Sequence, residues 1–193
     1  VSERIGILGG AFDPIHLGHL ILASEARSQL NLDLVLFVPT YQSAHQNKEI
    51  ATPFVHRCSM VAEAISGNPD FRLSDVECRL KGRSYTVQTI QALQQEYTDA
   101  SFVLIIGADN FEQFDTWHEP ERLLSMTTIA VAGRPGHAIA PSQSKWQPAV
   151  IDMPLIGISA SDLRRRVRAG ISIRFLVPPV VDDYIAQTGL YRE

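Results

Sequence analysis

Cysteine is scarce: Cys58 and Cys78 are the only two in 193 residues, and their spacing suits neither a metal site nor a redox pair. That excludes a disulfide framework and a thiolate-held metal. No apolar run approaches the roughly 18 residues of a membrane-spanning helix, and no basic-then-apolar leader is visible, so neither a span nor a signal peptide is expected. Positive charge is short as well. Seventeen Lys and Arg stand against 21 Asp and Glu, a formal net charge of -4, which argues against broad binding to nucleic acid or to an anionic membrane. An anionic ligand therefore needs a local cluster of donors. These absences predict a cytoplasmic protein, and the length suits one domain over 1–193, able to bury roughly 70% of its unfolded surface.

What is present is alternation. Apolar, β-branched runs at 4–8, 34–38, 71–74, 102–106 and 128–132 read as strands, mostly buried on both faces. Helical patterns fall between them. They cover 17–30; 53–66, opened by Thr52-Pro53 as cap and first-turn proline; 85–97, opened by Ser84; and short segments at 109–115 and 119–125. Residues 133–148, rich in Gly, Pro and Ser, are expected to form a surface loop. Two further helices are expected near 160–168 and 179–188, stopped by Gly170 and Gly189. Such alternation predicts an α/β domain with a parallel sheet, right-handed crossovers, helices on both faces and a helical C-terminal end.

In such a sheet ligands bind at the carboxyl ends of the strands. The stretch GGAFDPIHLGH, Gly9 to His19, sits there, directly behind the first apolar run. Gly9 and Gly10 allow a tight turn and a close approach of backbone N–H groups to an anion. The helix that follows aims unpaired N–H groups and its positive dipole end the same way. His16 and His19 are three apart, hence neighbours on one turn, and both can donate to phosphate oxygens. Two other readings stay open: packing plus capping, or a metal pair. No third ligand is placed by sequence, however, and a helix start favours anions over cations. The pattern is neither the dinucleotide fingerprint nor a lysine-bearing P-loop.

A second anion feature lies far along the chain. In ISASDLRRR, Ile158 to Arg166, Ser159 and Ser161 are both good capping residues whose hydroxyls can also serve an oxyanion. Arg164 falls in the first helical turn, where the dipole disfavours a cation unless an anion lies between. Arg165, Arg166 and Arg168 read as a solvated basic face.

Gly9–His19 resembles the G-x-F-x-P-x-H-x-G-H signature of the nucleotidyltransferase superfamily, and Ser159–Arg164 is similar to its second signature, S-x-T/S-x-I-R. SYTVQTI (84–90), GADNFEQFDTWHE (107–119), VAGRPG (131–136) and FLVPPVVDDYIAQTGLY (175–191) resemble the bacterial nicotinate-nucleotide adenylyltransferases. The likeness covers nearly the whole chain. It implies a Rossmann-like parallel sheet and the reaction of ATP with nicotinate mononucleotide to give deamido-NAD and pyrophosphate. By the same resemblance His16, His19 and Arg164 are catalytic. Gly9, Gly10, Ala11, Phe12, Gly18, Gly107, Asp109, Ser159 and Ser161 bind ATP, with Asp109 on the adenosine ribose. Asp13, His45, Thr86, Trp117, His118 and Arg134 bind the mononucleotide, with Trp117 as the stacking surface. Without the family, Trp117 would read equally as a core residue at a helix end.

The cofactor implied is Mg²⁺ carried mainly by the ATP phosphates and water, with no metal held by protein ligands. The partners implied are the two substrates, without nucleic acid or membrane; a homo-oligomer stays open. Two departures from the family pattern stand out. Ala11 replaces a common Thr or Ser, and Ala44 and Gln46 flank His45 in SAHQNK, where Lys48 would have to restore the charge. Ala11 and Gln46 leave one rival, a nucleotide-binding module that turns nothing over; a narrower one is an enzyme preferring nicotinamide mononucleotide, since carboxylate and amide can be told apart by backbone N–H groups and helix ends.

Overall fold

The structure, a computed structural model, describes residues 2–43, 50, 52–133, 145–154 and 156–192. Its strands are β1 (Glu3–Gly10), β2 (Leu34–Pro39), β3 (Phe71–Leu73), β4 (Ala100–Gly107), β5 (Thr128–Ala132) and β6 (Ala149–Ile151). Its helices are α1 (Leu17–Leu30), α2 (Phe54–Ile65), α3 (Val76–Leu80), α4 (Thr86–Glu96), α5 (Ala108–Phe111), α6 (Pro120–Met126), α7 (Ala160–Arg168) and α8 (Pro179–Thr188). A 3-10 turn spans Phe114–Thr116. The strands form one sheet in the order β3-β2-β1-β4-β5-β6, every pair parallel. This is the Rossmann-like α/β arrangement that the alternation predicts.

All six residues of β2 are buried, as a strand covered on both faces requires. One cluster packs Ala23, Met60, Val61, Leu163, Val181 and Ile185 of α1, α2, α7 and α8 against the sheet. A second packs Ile90, Leu93, Phe114 and Leu123 on Ile5, Ile7 and Leu104. The two clusters are the two faces. Helix α1 buries only small residues, Ala23 and Ala26, which lets its axis lie close to the strands. It ends on Asn31 at φ 50, a left-handed stop of the kind asparagine tolerates.

Sheet order reverses between β1 and β4, which lead to opposite sides. That reversal opens a crevice at their carboxyl ends. No helix among the described residues is long and apolar enough to cross a membrane.

Several local expectations change. Helix α3 and strand β6 were not anticipated: five and three residues are too short to show a period. The segment expected as one helix at 109–115 is α5 followed by the 3-10 turn. Ser84 does not cap α4, whose cap position is Tyr85; its hydroxyl instead accepts the Tyr41 and Gln42 N–H groups at 3.2 and 3.3 Å. Thr52 does not cap α2, since Pro53 takes that place. Gly170 and Gly189 do stop their helices, at φ 69 and 71. Residues 134–144 of the expected loop lie outside the described residues.

Candidate active site

A cavity of about 740 Å³ opens over the carboxyl ends of β1, β2, β4 and β5. Its floor is glycine. Gly9 and Gly10 remain in strand register with Val38 and Pro39, and neither has a positive φ, so the tight-turn role expected of them falls to Phe12 at φ 49. The glycines matter for space. A Cβ on Gly9 would meet nothing within 4 Å and would project into the cavity. One on Gly10 would press the Phe12 ring at 3.3 Å.

Phe12 is fully buried and takes its strained conformation with its ring edge on His19, centroids 5.0 Å apart. The chain then enters α1 through His16, extended at φ -144. The His16 and His19 rings stack at 3.7 Å. The His16 backbone N–H donates to His19 Nδ1 at 3.3 Å, so Nδ1 is unprotonated there and the proton of the neutral ring sits on Nε2. A Cβ on Gly18 would stand 3.1 Å from the His16 ring, tight enough that the ring would have to shift.

Helix α7 meets this loop from across the chain. Ser159 caps it, its Oγ accepting the Asp162 N–H at 3.2 Å, which leaves the hydroxyl proton free for a ligand. Arg164 Nη1 donates to the Asp13 carbonyl at 2.7 Å and lies 4.0 Å from Asp13 Oδ2. Arg164 is the fifth residue of α7, past the first turn in which the sequence placed it, and Asp13 is the anion beside it. Arg165 and Arg166 both pair with Asp162, whereas Arg164 faces the loop.

Sequence reasoning missed the residue that holds this loop from below. Arg57 on α2 is 1% exposed and donates to the Ala11 carbonyl at 2.8 Å and the Thr52 carbonyl at 3.0 Å. Burial pushes its pKa down, and the nearby Asp13 carboxylate pulls it back up. Pinning the Ala11 carbonyl turns the N–H of the same peptide group, that of Phe12, the opposite way. The signal was available: Arg57 shares a helical face with the buried Met60 and Val61.

The far end of the cavity is built on shorter elements. Thr86 opens α4; the Gln88 and Thr89 N–H groups donate to the Tyr85 carbonyl at 3.0 and 3.1 Å, which leaves those of Thr86 and Val87 as the orphan donors of the helix start. Trp117 ends the 3-10 turn with its ring 5.3 Å from Phe114. Its Nε1 is buried without a hydrogen-bond partner among the described residues. His118 packs on Tyr85 at 4.5 Å and reaches Glu119 at 3.2 Å. Glu77, also missed, is buried here; it accepts the Tyr41 N–H at 3.0 Å and the Thr89 hydroxyl at 3.1 Å. Burial holds its carboxyl above the usual range.

Sixteen residues singled out from the sequence line this one cavity: Gly9 to Asp13, His16, Gly18, His19, Thr86, Gly107, Asp109, Trp117, His118, Ser159, Ser161 and Arg164. His45 and Arg134 lie outside the described residues. The Cys58 thiol, pushed up to about 11 by burial, stays protonated at neutral pH and is no nucleophile. Among the described residues no three His, Cys, Asp or Glu side chains gather as a metal site. The lining brings donors (His16, His19, Ser159, Ser161 and Arg164) together with the carboxylates of Asp13, Glu77, Asp109 and Glu119.

A parallel sheet in this order, with two donor-bearing helix starts meeting over β1, defines a nucleotidyltransferase; the chain belongs to the cytidylyltransferase-like family, whose model matches residues 7–166. Its relatives narrow the membership. It is 44% identical to a protein of Thermomicrobium roseum named as a probable nicotinate-nucleotide adenylyltransferase, over 98% of this chain and 92% of the relative. It is 40% identical to its namesake in Oceanobacillus iheyensis, over 98% and 97%. Within the family, the chain is therefore one of the nicotinate-nucleotide adenylyltransferases. The Plasmodium falciparum nicotinic acid mononucleotide adenylyltransferase complexed with NaAD shares the fold, with a TM-score of 0.82 at 24% identity over 98% of this chain and 97% of that one.

Proposed function

We propose that this cavity transfers the adenylyl group of ATP to nicotinate mononucleotide, giving deamido-NAD and pyrophosphate, and that the two helix starts act on the phosphates. The mononucleotide 5′-phosphate is largely dianionic at neutral pH and needs no general base. One of its oxygens attacks the α-phosphorus in line, and the bond to the β-phosphate oxygen breaks. The work left to the protein is alignment and neutralisation of charge on the leaving pyrophosphate.

His19 fits that task through the Nε2 proton that its Nδ1 bond leaves in place. His16, the Ser159 and Ser161 hydroxyls and Arg164 complete the donor set, with the backbone of Gly9 to Phe12 and Gly18 beneath. Gly107 and Asp109, where β4 meets α5, are assigned to adenosine. Thr86, Trp117 and His118 are assigned to the nicotinate ring, together with His45 and Arg134. The reaction takes a divalent cation with ATP; Mg²⁺ would be held mainly by the ATP phosphates and water and would offset their charge, in keeping with the lack of a three-ligand metal cluster among the described residues.

The convergence of His16, His19, Ser159 and Arg164 on the end of β1, from segments about 150 residues apart, supports this assignment most directly. Specificity follows from the opposite end. First-turn N–H groups of α4 match a carboxylate, whereas an amide would turn its own N–H₂ toward donors. Each such mismatch in a desolvated site costs about 1–3 kcal/mol. The expected outcome is at least about a hundredfold higher kcat/KM for nicotinate than for nicotinamide mononucleotide. Comparable values for the two would overturn the specificity, and an absence of pyrophosphate release with either would leave a binding module.

A further inference from the structure

The last residues of the chain reach the phosphate loop. After α8 the backbone turns through Gly189 at φ 71 and Tyr191 at φ 66, a left-handed conformation that tyrosine rarely adopts unless held. Its ring packs on the core cluster of the α1, α2 face. The phenol oxygen donates to Asp13 Oδ1 at 2.6 Å, across 178 positions of sequence. Asp13 is 3% exposed, so it cannot trade that bond for water.

We infer that Tyr191 is a positioning residue for the adenylyl transfer: by holding one carboxylate oxygen of Asp13 it sets the backbone carbonyl and second oxygen against which Arg164 is placed. The charges agree with this division. Asp13 stands close to Arg57 and Arg164, and a neutral donor orients it without competing for its charge. Burial and the Asp13 carboxylate both push the Tyr191 pKa up, so the phenol remains a donor across the working pH range. Only a hydroxyl at this point does both things, since phenylalanine would fill the same space and leave Oδ1 to turn.

The inference rests on Arg164 facing the phosphates, as proposed above, and the experiment separates the two. In the full-length chain, Tyr191→Phe is compared with wild type, alone and in an Arg164→Lys background. Tyr191→Phe is expected to lower kcat about tenfold, to change KM for either substrate less than about twofold, and to keep a cooperative melt near the wild-type Tm. In the Arg164→Lys background the same change is expected to have less than about a twofold effect, because its target is already gone. A wild-type kcat for Tyr191→Phe would overturn the proposal. So would an equal loss in both backgrounds, which a purely structural role would give. Should Tyr191→Phe fail to fold, Asp13→Asn decides, as it keeps an acceptor for the phenol but loses the charge opposite Arg164; wild-type kcat there would overturn the proposal too. Full activity of Arg164→Lys and Arg164→Ala would instead place the failure in the site assignment, and the proposal would fall with it.

Discussion

At the end of the cavity assigned to the phosphates the carbonyls of Ala11 and Asp13 are each held by a guanidinium, from Arg57 and Arg164, whereas the end assigned to the pyridine ring rests on a 3-10 turn and half-buried rings. The first end is made of strand termini and two helix starts, with one histidine bonded to the other. The second has a tryptophan whose N–H finds no partner among the described residues and a residue at φ 52, Glu119, beside it. The difference matches the role proposed for each end. Charge that develops on phosphate oxygens is stabilised only by donors already in place, because reorganising them would cost the energy they supply. Holding a flat ring needs a surface and a few matched donors, and tolerates looser construction.

The sharpest way to break the contrast is at the histidines. His16→Ala and His19→Ala are each expected to lower kcat/KM at least about a hundredfold, close to 2.7 kcal/mol, with the melting temperature little changed. A lower Tm with activity per folded molecule intact would return both rings to a packing role.

A smaller, more selective effect is expected at the other end. Trp117→Ala should raise KM for nicotinate mononucleotide about tenfold, in keeping with the roughly 0.5–1.5 kcal/mol of a stacking surface, and leave KM for ATP within about twofold. Equal rises for both substrates would mean that the two ends are not separate.

The smallest effect concerns pH. Burial holds the Glu77 carboxyl above its ordinary value, so the folded chain binds that proton more tightly than the unfolded one. Stability from this group is therefore present below the unfolded pKa, about 4.3, and is lost as pH rises through the folded value. Glu77→Gln should flatten that part of the stability–pH curve, measured by denaturant melts from about pH 4 to 7. An unchanged slope would show that Glu77 is as well solvated folded as unfolded.

Much of the site was legible because it is local. His16 and His19 lie three apart, and no tertiary contact is needed to put them on one turn. Ser159 caps α7 by bonding a residue three positions on. The alternation of apolar runs with amphipathic segments fixes a parallel sheet, because each strand must be covered on both faces. The illegible parts were polar groups in buried places. Arg57 looks like a surface arginine until the carbonyls of Ala11 and Thr52 are seen around it, and Glu77 like a surface glutamate until Tyr41 and Thr89 close on it.

The same division holds for the whole chain. Residue order alone settles the helix start at Ser159 and helix stops such as Gly189, since these depend on groups within a turn of one another, whereas Thr52 and Ser84 look like caps and are not. The order of strands, the meeting of Arg164 with Asp13, and the reach of Tyr191 back to the first loop were decided by folding alone. A buried charge or hydroxyl is tolerable only if another segment brings its partner, and for Asp13 those partners are 151 and 178 positions away.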